Sequence, residues 1–580
     1  MVQKEQSRQP KTSFTRSVHF KRTHKSAKRV GARIRPVLVT LLRWLIVPAV
    51  FYGLVFFIMQ PLYIGNFSNG FYLDNGDGFQ NVWNIWWVNH ALFDLHTNPY
   101  FTNMLHVPEG ISLIPQTLNP INALMAIVLL HVFGLSLVQV VNFAVVFAFV
   151  FSGVTMFWFV KKLFGKYWVA IIAGALYTFS SYHFAHAQGH LQLVTFEFVP
   201  LFFLAFWTLL EKMKYRYAVL AALSLFLVLL SDYYYLFWSV IVAGLWFAWC
   251  LFTKRIRISV HLVKVMAVFA TLAVALVGPL VYQLVHLSKI DPFQDAHNST
   301  LFSLNPVSVV IPGGSSFFHS LTDAYTVHLQ YLAESSVFFG FGLLALLLFA
   351  FIKLIIKKGR STPGWVNFWW VILFVFGILA LGPHLQVGRH VFNSVPLPYY
   401  FLEKLVPTLQ ISGMPMRWIF VALFAAIIIG SSVLARINIR SKKGMIVVIL
   451  FIVVSLFDLW PRQLPLTSPT YRPYVSTLKQ LPYGAVVDNG ALTGSEQLYN
   501  QTLTGKPIAF GYVTRTTKSV DAKDYLLFAA ISENKYDTLC TDFKIRYFTI
   551  PTTRPLDTNL PIVYDDGQTL IYDLKNSPEC

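Results

Sequence analysis

The sequence predicts an all-α polytopic membrane protein of about eleven transmembrane helices, followed by a small α/β domain on the extracytoplasmic side. Three observations predict it. Of 580 residues 55% are hydrophobic and 12% charged, with a mean hydropathy of +0.56, whereas soluble domains carry roughly 25% charged residues. The basic residues fall in short clusters between apolar runs, and after Trp460 the composition turns to that of a balanced soluble segment. An ordinary cytosolic enzyme and a disordered chain are both excluded by this pattern.

The formal net charge is +20, and its placement gives orientation. Residues 1–37 hold eleven Lys/Arg and one acid, Glu5. They have neither a short apolar core nor a small-residue cleavage site, and a full-length apolar run follows, so they read as a cytoplasmic tail ahead of an uncleaved helix. Nucleic-acid binding is the competing reading of such a tail, but no interleaved aromatics or fold surround it.

Five further clusters, Lys161/Lys162/Lys166, Lys212/Lys214/Arg216, Lys254/Arg255/Arg257, Lys353/Lys357/Lys358/Arg360 and Arg436/Arg440/Lys442/Lys443, contain Glu211 as their single acid. By the positive-inside rule all five are cytoplasmic. Between Trp44 and Val160 there is no Lys or Arg, while Asp74, Asp77, Asp94 and Glu109 lie there, so that stretch faces outward or sits in the membrane.

Spanning runs are read at 38–59, 137–160, 167–183, 190–210, 217–231, 234–253, 261–286, 332–357, 365–382, 413–435 and 444–460. With the N-terminus inside, this count leaves every cluster inside and the C-terminus outside. The run Asn119–Gly134 is shorter than the roughly 20 residues a span needs and is assigned to an interfacial or re-entrant helix. The organisation is thus a tail at 1–37, a transmembrane domain at 38–460 with a large first outer loop at 60–136, and a soluble domain at 461–580.

That last segment carries twelve Lys/Arg and twelve Asp/Glu. Strand-like runs occur at Gly484–Val487 and Lys544–Ile550, and Ile562–Tyr564 and Leu570–Tyr572 flank Asp565-Asp566-Gly567-Gln568, a hairpin signal. The three cysteines are too few for a disulfide framework or a Cys-rich zinc site. Cys540 and Cys580 pair if the compartment is oxidising, and otherwise remain two thiols.

Four constellations can carry chemistry. Asp74 and Asp77 stand in a Gly/Asn turn just after the first helix, where two carboxylates would meet the outer membrane surface. Trp83, Trp86, Trp87 and His90 follow at helical spacing and read as the aromatic belt of an interfacial helix anchored among headgroups. The acidic spacing is wrong for an EF-hand, so a divalent metal is compatible with the turn but not demanded by it.

His183, His186 and His190 share a short outer connection without an adjacent carboxylate, a set that fits a polar turn as well as a metal. Tyr233 to Tyr235 occupy a third outer turn, and Glu197 is a carboxylate within an apolar run, which is costly unless it faces a protein interior. Arg417 enters a helix from the outer side, where its guanidinium can grip a phosphate or snorkel to headgroups. Arg389 and Lys404 are the cations near it in sequence.

In their order along the chain these parts resemble the GT-C superfamily of polytopic membrane glycosyltransferases, and within it the YfhO-like bacterial membrane proteins. Asp74/Asp77, the amphipathic stretch Val82–Phe93 and the Pro-containing run from Asn119 look like the acidic motif, juxtamembrane helix and following helix of GT-C proteins. Gly189-His190-Leu191-Gln192, Pro396-Leu397-Pro398-Tyr399, Pro415-Met416-Arg417 and Leu498–Ile508 with Gly511-Tyr512 and Arg515 are similar to YfhO-like features. Where such relatives often have Arg-x-Pro-x-Arg, this chain reads Gly413-Met-Pro-Met-Arg417.

The resemblance implies transfer of a sugar from a polyprenyl-phosphate donor to a cell-envelope glycan or lipid acceptor at the outer face of the plasma membrane. Asp77 is then the general base with Asp74 as its understudy or orienting partner; His190, Arg417 and Arg389 meet the donor phosphate; Trp86, Trp87 and Tyr234 are platforms for sugar or lipid. No cofactor is required, and membrane lipids but no nucleic acid are partners. Two rival classes remain: a transporter or flippase, which would predict inverted repeats and midplane ionisable groups, and a non-catalytic envelope scaffold.

Overall fold

The apolar runs fold into helices whose ends follow caps, glycines and prolines in the sequence. The computed structural model describes residues 45–580 apart from 60–64, 117, 295–296, 315, 323–331, 357–362, 407–408, 410–411, 462–463, 557–559 and 577–579. The basic tail and the trio Lys357, Lys358 and Arg360 therefore lie outside the described residues. Residues up to Leu54 form one unit, of which 45–54 open the helix α1, Leu45–Met59. Val55–Cys580 forms a second unit, which contains all the remaining elements.

A turn leads into α2, Asp77–Asn89, and then α3, Pro120–His131. With 12 residues α3 is about 18 Å long at 1.5 Å per residue, well short of a hydrocarbon core about 30 Å thick. Next comes α4, Leu137–Phe164, opened by a capping box between Ser136 and Gln139 and closed by Gly165 at φ +74°, a left-handed turn that suits glycine.

The run predicted at 167–183 divides into α5, Tyr167–Thr178, and α6, Ser181–His186, because the Ser180 hydroxyl accepts the His183 N–H and starts a new helix. The run at 190–210 likewise divides into α7, Leu191–Val194, and α8, Phe198–Lys212. Then follow α9, Tyr215–Ser231; α10, Tyr233–Phe252; α11, Val260–Ile290; α12, Leu332–Ser335; α13, Phe341–Ile356; α14, Gly364–Ala380; α15, Pro398–Leu405; α16, Ile419–Leu434; and α17, Lys442–Asp458.

Among the described residues five helices are long and apolar enough to cross a membrane: Leu137–Phe164, Leu191–Lys212, Tyr233–Phe252, Val260–Ile290 and Pro415–Leu434. The run predicted from 332 becomes helical as a span only from Phe341, which leaves Glu334 before it in α12. Asn142, near the start of α4, accepts the Tyr72 N–H, so that end adjoins the Asp74/Asp77 turn. At the far end Lys162 pairs with Glu211 of α8.

The C-terminal segment builds a four-stranded sheet from β5, Ala485–Asp488; β6, Ile545–Pro551; β7, Ile562–Asp565; and β8, Thr569–Asp573, in the order β5-β6-β8-β7. Strands β1 to β4 form two small ribbons, Phe101–Thr102 with Ile111–Ser112 and His384–Val387 with His390–Pro396. β5 and β6 run parallel, while the β7–β8 hairpin forms where the Asp-Asp-Gly-Gln signal predicts it, its turn tied by Asp566 to the N–H groups of Gln568 and Thr569. Helices α18, Pro473–Gln480; α19, Gly494–Thr504; α20, Lys518–Ser532; and α21, Tyr536–Thr541, pack with it.

Cys540 and Cys580 are joined in a disulfide, which settles the alternative of two thiols. It closes a 40-residue loop, so reduction in an otherwise folded protein is expected to cost about 2–4 kcal/mol through the unfolded chain's regained freedom. A lower thermal midpoint of the C-terminal segment under reductant checks this, and an unchanged midpoint contradicts it.

The same segment covers the tryptophan helix. Trp83, Trp87, Met104, Leu105, Tyr474, Val486, Leu498 and Ile508 belong to one core. The Trp83 Nε1–H donates to Gln501 Oε1 at 2.6 Å, Gln501 Nε2 donates to the Met104 carbonyl at 2.7 Å, and Tyr499 stacks on Phe79 at 4.5 Å. This corrects the headgroup-belt expectation for Trp83 and Trp87: both are fully buried against protein. The helical spacing of the rings was right; the surface they meet is α19.

Candidate active site

The site begins with the turn before α2. Asp74 Oδ1 accepts the N–H groups of Gly76 at 3.0 Å and Gly78 at 2.9 Å, closing an Asx turn, and the Asp74 N–H donates to the Gln188 carbonyl at 2.6 Å. Gly189 fits because a Cβ there would stand 2.7 Å from Asp74 Oδ2. Asn81 Nδ2 then donates to the Gly189 carbonyl at 2.8 Å, so the first long loop and the 188–190 connection are stitched face to face.

That stitching brings His190 Nε2 to 2.9 Å from Asp77 Oδ2. From 435 residues away the Tyr512 hydroxyl donates to Asp77 Oδ1 at 2.7 Å. The Asp77 side chain keeps 33% exposure, so it is held from two sides and still open to an incoming group.

Behind His190 the contacts continue. Its Nδ1 lies 3.3 Å from His186 Nδ1, and His186 Nε2 is 3.8 Å from Glu334 Oε2. Glu334 in turn is gripped by Arg417 through Nε, at 3.1 and 3.2 Å, and through a terminal nitrogen. Tyr234 closes the group, with its ring 5.1 Å from the Arg417 guanidinium. One proton pattern satisfies every bond: His190 as imidazolium donates to Asp77 and to His186, and neutral His186 turns its Nε2–H toward Glu334. Two carboxylates then balance two cations.

Burial pushes the Asp77 carboxyl up, but the bond and charge of His190, the Tyr512 hydroxyl and the Arg417 charge outweigh it, leaving Asp77 below its ordinary range. Asp74 goes the other way, raised chiefly by burial despite its two backbone bonds. The paired carboxylates of the turn are thus split into an ionised, accessible Asp77 and a structural Asp74.

Of the other predicted residues, Arg389 stands exposed between β3 and β4, and no contact with this group of side chains is found for it among the described residues. Trp86 is half-buried and stacks on His90 at 4.7 Å. Trp87 is fully buried with its Nε1–H on the Pro99 carbonyl, so a platform role is ruled out by its packing. His183 is a core residue stacked on Phe149 with Nδ1 on the Thr178 carbonyl. Glu197 is fully buried, and neither carboxyl oxygen has a hydrogen bond among the described residues.

Two members escaped the sequence reading as site residues. Tyr512 arrives from the C-terminal segment, and Glu334 lay inside a run taken for a span. His186, His190 and Glu334 offer ligand atoms all within 4.8 Å of one another and could hold a divalent ion. In the arrangement described, however, each of the three is already engaged, Glu334 by Arg417 and His190 by Asp77.

Apolar helices with an acidic loop motif beside α4 and a C-terminal α/β segment make a GT-C-like fold. Two solved structures share it. One is the archaeal oligosaccharyltransferase AglB from Archaeoglobus fulgidus, in complex with an inhibitory peptide and a dolichol-phosphate, at 11% identity over 87% of this chain and 69% of that one, TM-score 0.51. The other is the arabinofuranosyltransferase AftD from Mycobacteria, at 15% identity over 92% of this chain and 41% of that one, TM-score 0.55. The chain belongs to the family described as a domain of unknown function, DUF6311, which matches residues 49–460. No curated protein matches.

Proposed function

We propose that the chain is a membrane glycosyltransferase that moves a sugar from a polyprenyl-phosphate donor to a cell-envelope glycan or lipid, with Asp77 as general base. The observation that carries this reading is the Asp77 carboxylate, ionised and one-third exposed while His190 and Tyr512 fix its position. The motif order gives the same reading a YfhO-like affinity.

In the reaction the acceptor hydroxyl binds Asp77 through a lone pair left by His190 and Tyr512 and gives up its proton as its oxygen bonds to the anomeric carbon. The sugar–phosphate bond breaks, and the phosphate leaves with the bonding electrons. His190 and Arg417 are the cations that would offset the charge developing on that leaving group, His190 from beside Asp77 and Arg417 from behind it, where Glu334 holds it. Because both ring nitrogens of His190 have partners, His190 serves as a fixed cation and Asp77 takes the proton.

The positive-inside pattern supports an eleven-span topology with the N-terminus in the cytoplasm and 461–580 outside, in the plasma membrane. Transfer of labelled sugar from polyprenyl-phosphate donors by membranes carrying the chain tests the reading, and failure with every donor and acceptor fraction overturns it.

Solution conditions offer two further checks. Since Asp77 is depressed, the acid limb of kcat/KM falls below the ordinary aspartate value of about 3.9. By linkage, the stability this carboxylate contributes is fully present above the unfolded pKa and is lost as pH falls through the lower folded one. A limb near pH 6 would assign the base to another group. No cofactor is required: dialysis against EDTA is expected to leave transfer within about twofold, because the His186–His190 pair is closed by a shared proton. Loss restored by zinc or manganese would contradict this.

A further inference from the structure

A cavity of about 530 Å³ opens in the C-terminal segment where the parallel strands β5 and β6 end. Its lining includes Asn489, Thr493, Gln497, Thr553 and Arg554, with Gly494 at the start of α19. These amide, hydroxyl and guanidinium groups line it beside Ala491, Leu492, Ile550 and Pro551, and the volume suits a small ligand (about 300–1,000 Å³). The crevice beyond the carboxyl ends of parallel strands is a recurrent ligand position in open α/β sheets.

The floor is rigid. Asp488 accepts from Tyr474 at 2.8 Å, Thr549 at 2.7 Å and Asn500 at 3.0 Å, and its carbonyl holds the Gln497 amide at 2.7 Å. A cavity whose walls are set by a buried network binds without first ordering them.

Its position relative to Asp77 is informative. Gly494 packs directly on Tyr512, where a Cβ at 494 would lie 3.3 Å from the Tyr512 Cβ. The Tyr512 hydroxyl is the group bonded to Asp77. One aromatic side chain therefore separates the cavity lining from the carboxylate, and the same α19 stacks Tyr499 on Phe79 of α2.

We propose that this cavity is the acceptor subsite: it holds the hydroxyl-rich saccharide chain behind the reacting sugar, with Arg554, Gln497 and Asn489 hydrogen-bonding its hydroxyls and Tyr512 linking occupancy to Asp77. It rests on the glycosyltransferase reading for the word acceptor, but a saccharide site at 489–497 and 551–554 stands on the cavity itself.

The probe is the fluorescently labelled oligosaccharide fraction released from the cell envelope of the source organism, titrated onto the purified full-length chain. Arg554→Ala and Thr553→Trp change exposed positions and leave the Asp488 network intact. The expected result is binding by wild type and by Asp77→Asn, weakened at least tenfold by either cavity substitution, with the midpoint of thermal unfolding unchanged. In the transfer assay the same variants raise the acceptor KM at unaltered donor KM. Binding that ignores both substitutions, or no binding to wild type, overturns the subsite. Binding that follows the cavity while no sugar is transferred keeps the saccharide site and sinks the enzyme reading.

Discussion

Asp77→Asn is expected to lower kcat for sugar transfer by about 10²–10⁴-fold, the range supplied by a positioned general base. The fold should survive the change. The asparagine oxygen still accepts from Tyr512, and its amide donates to a neutral His190, so both contacts that fix the side chain persist in altered form. Lost is the negative charge that receives the acceptor proton and holds His190 as a cation. The check is kcat at saturating donor together with the thermal midpoint of the purified variant. Activity within fivefold of wild type would remove Asp77 from the chemistry. The same substitution at Asp74 should act differently: Asn keeps an oxygen for the Gly76 and Gly78 N–H groups, so it should cost less.

Glu334→Leu is expected to have the largest effect on stability. Arg417 has 11% of its side chain exposed and Glu334 only 5%, and removing one member of a buried pair costs about 3–5 kcal/mol by stranding the other charge. The double change Glu334→Leu with Arg417→Met should recover most of that loss, because it removes both desolvated charges and keeps the volume. Thermal unfolding of the three proteins in one detergent checks this, and a double variant no more stable than Glu334→Leu would show that the pair is not the source. Activity should fall in the double variant even where stability returns, since the buried pair that backs His186 and His190 is gone.

Much of this molecule is legible in its sequence for local reasons. The apolar run read at 137–160 forms a helix that starts at Leu137, where the run does, and the Asp565–Gln568 turn fixes its hairpin through contacts within three residues. Asp77 and His190 stood out because polar groups of that kind flank apolar helices at a cost. The pairing partners were hidden by distance along the chain. Tyr512 meets Asp77 across 435 residues and Arg417 meets Glu334 across 83, and nothing in a linear pattern encodes either.

Where local pattern misled, the cause is equally physical. Trp83 and Trp87 share a helix face by spacing, yet spacing says nothing of whether that face meets lipid or a buried glutamine. Glu334 was obscured because the apolar run beyond it starts at Phe341, while the residues before it form a separate short helix. Arg389 was chosen for its closeness in sequence to Arg417, and a hairpin carries it to an exposed turn.

The group around Asp77 is proposed to transfer a sugar away from a lipid phosphate. The most direct test is the product left in the membrane: purified full-length protein in lipid nanodiscs, given polyprenyl-phosphate sugar labelled in both lipid and sugar and the envelope acceptor fraction. One polyprenyl phosphate is expected to be released for every sugar joined to acceptor, with both products lost together in Asp77→Asn. Intact donor after prolonged incubation with wild type, or equal release by wild type and Asp77→Asn, would contradict it.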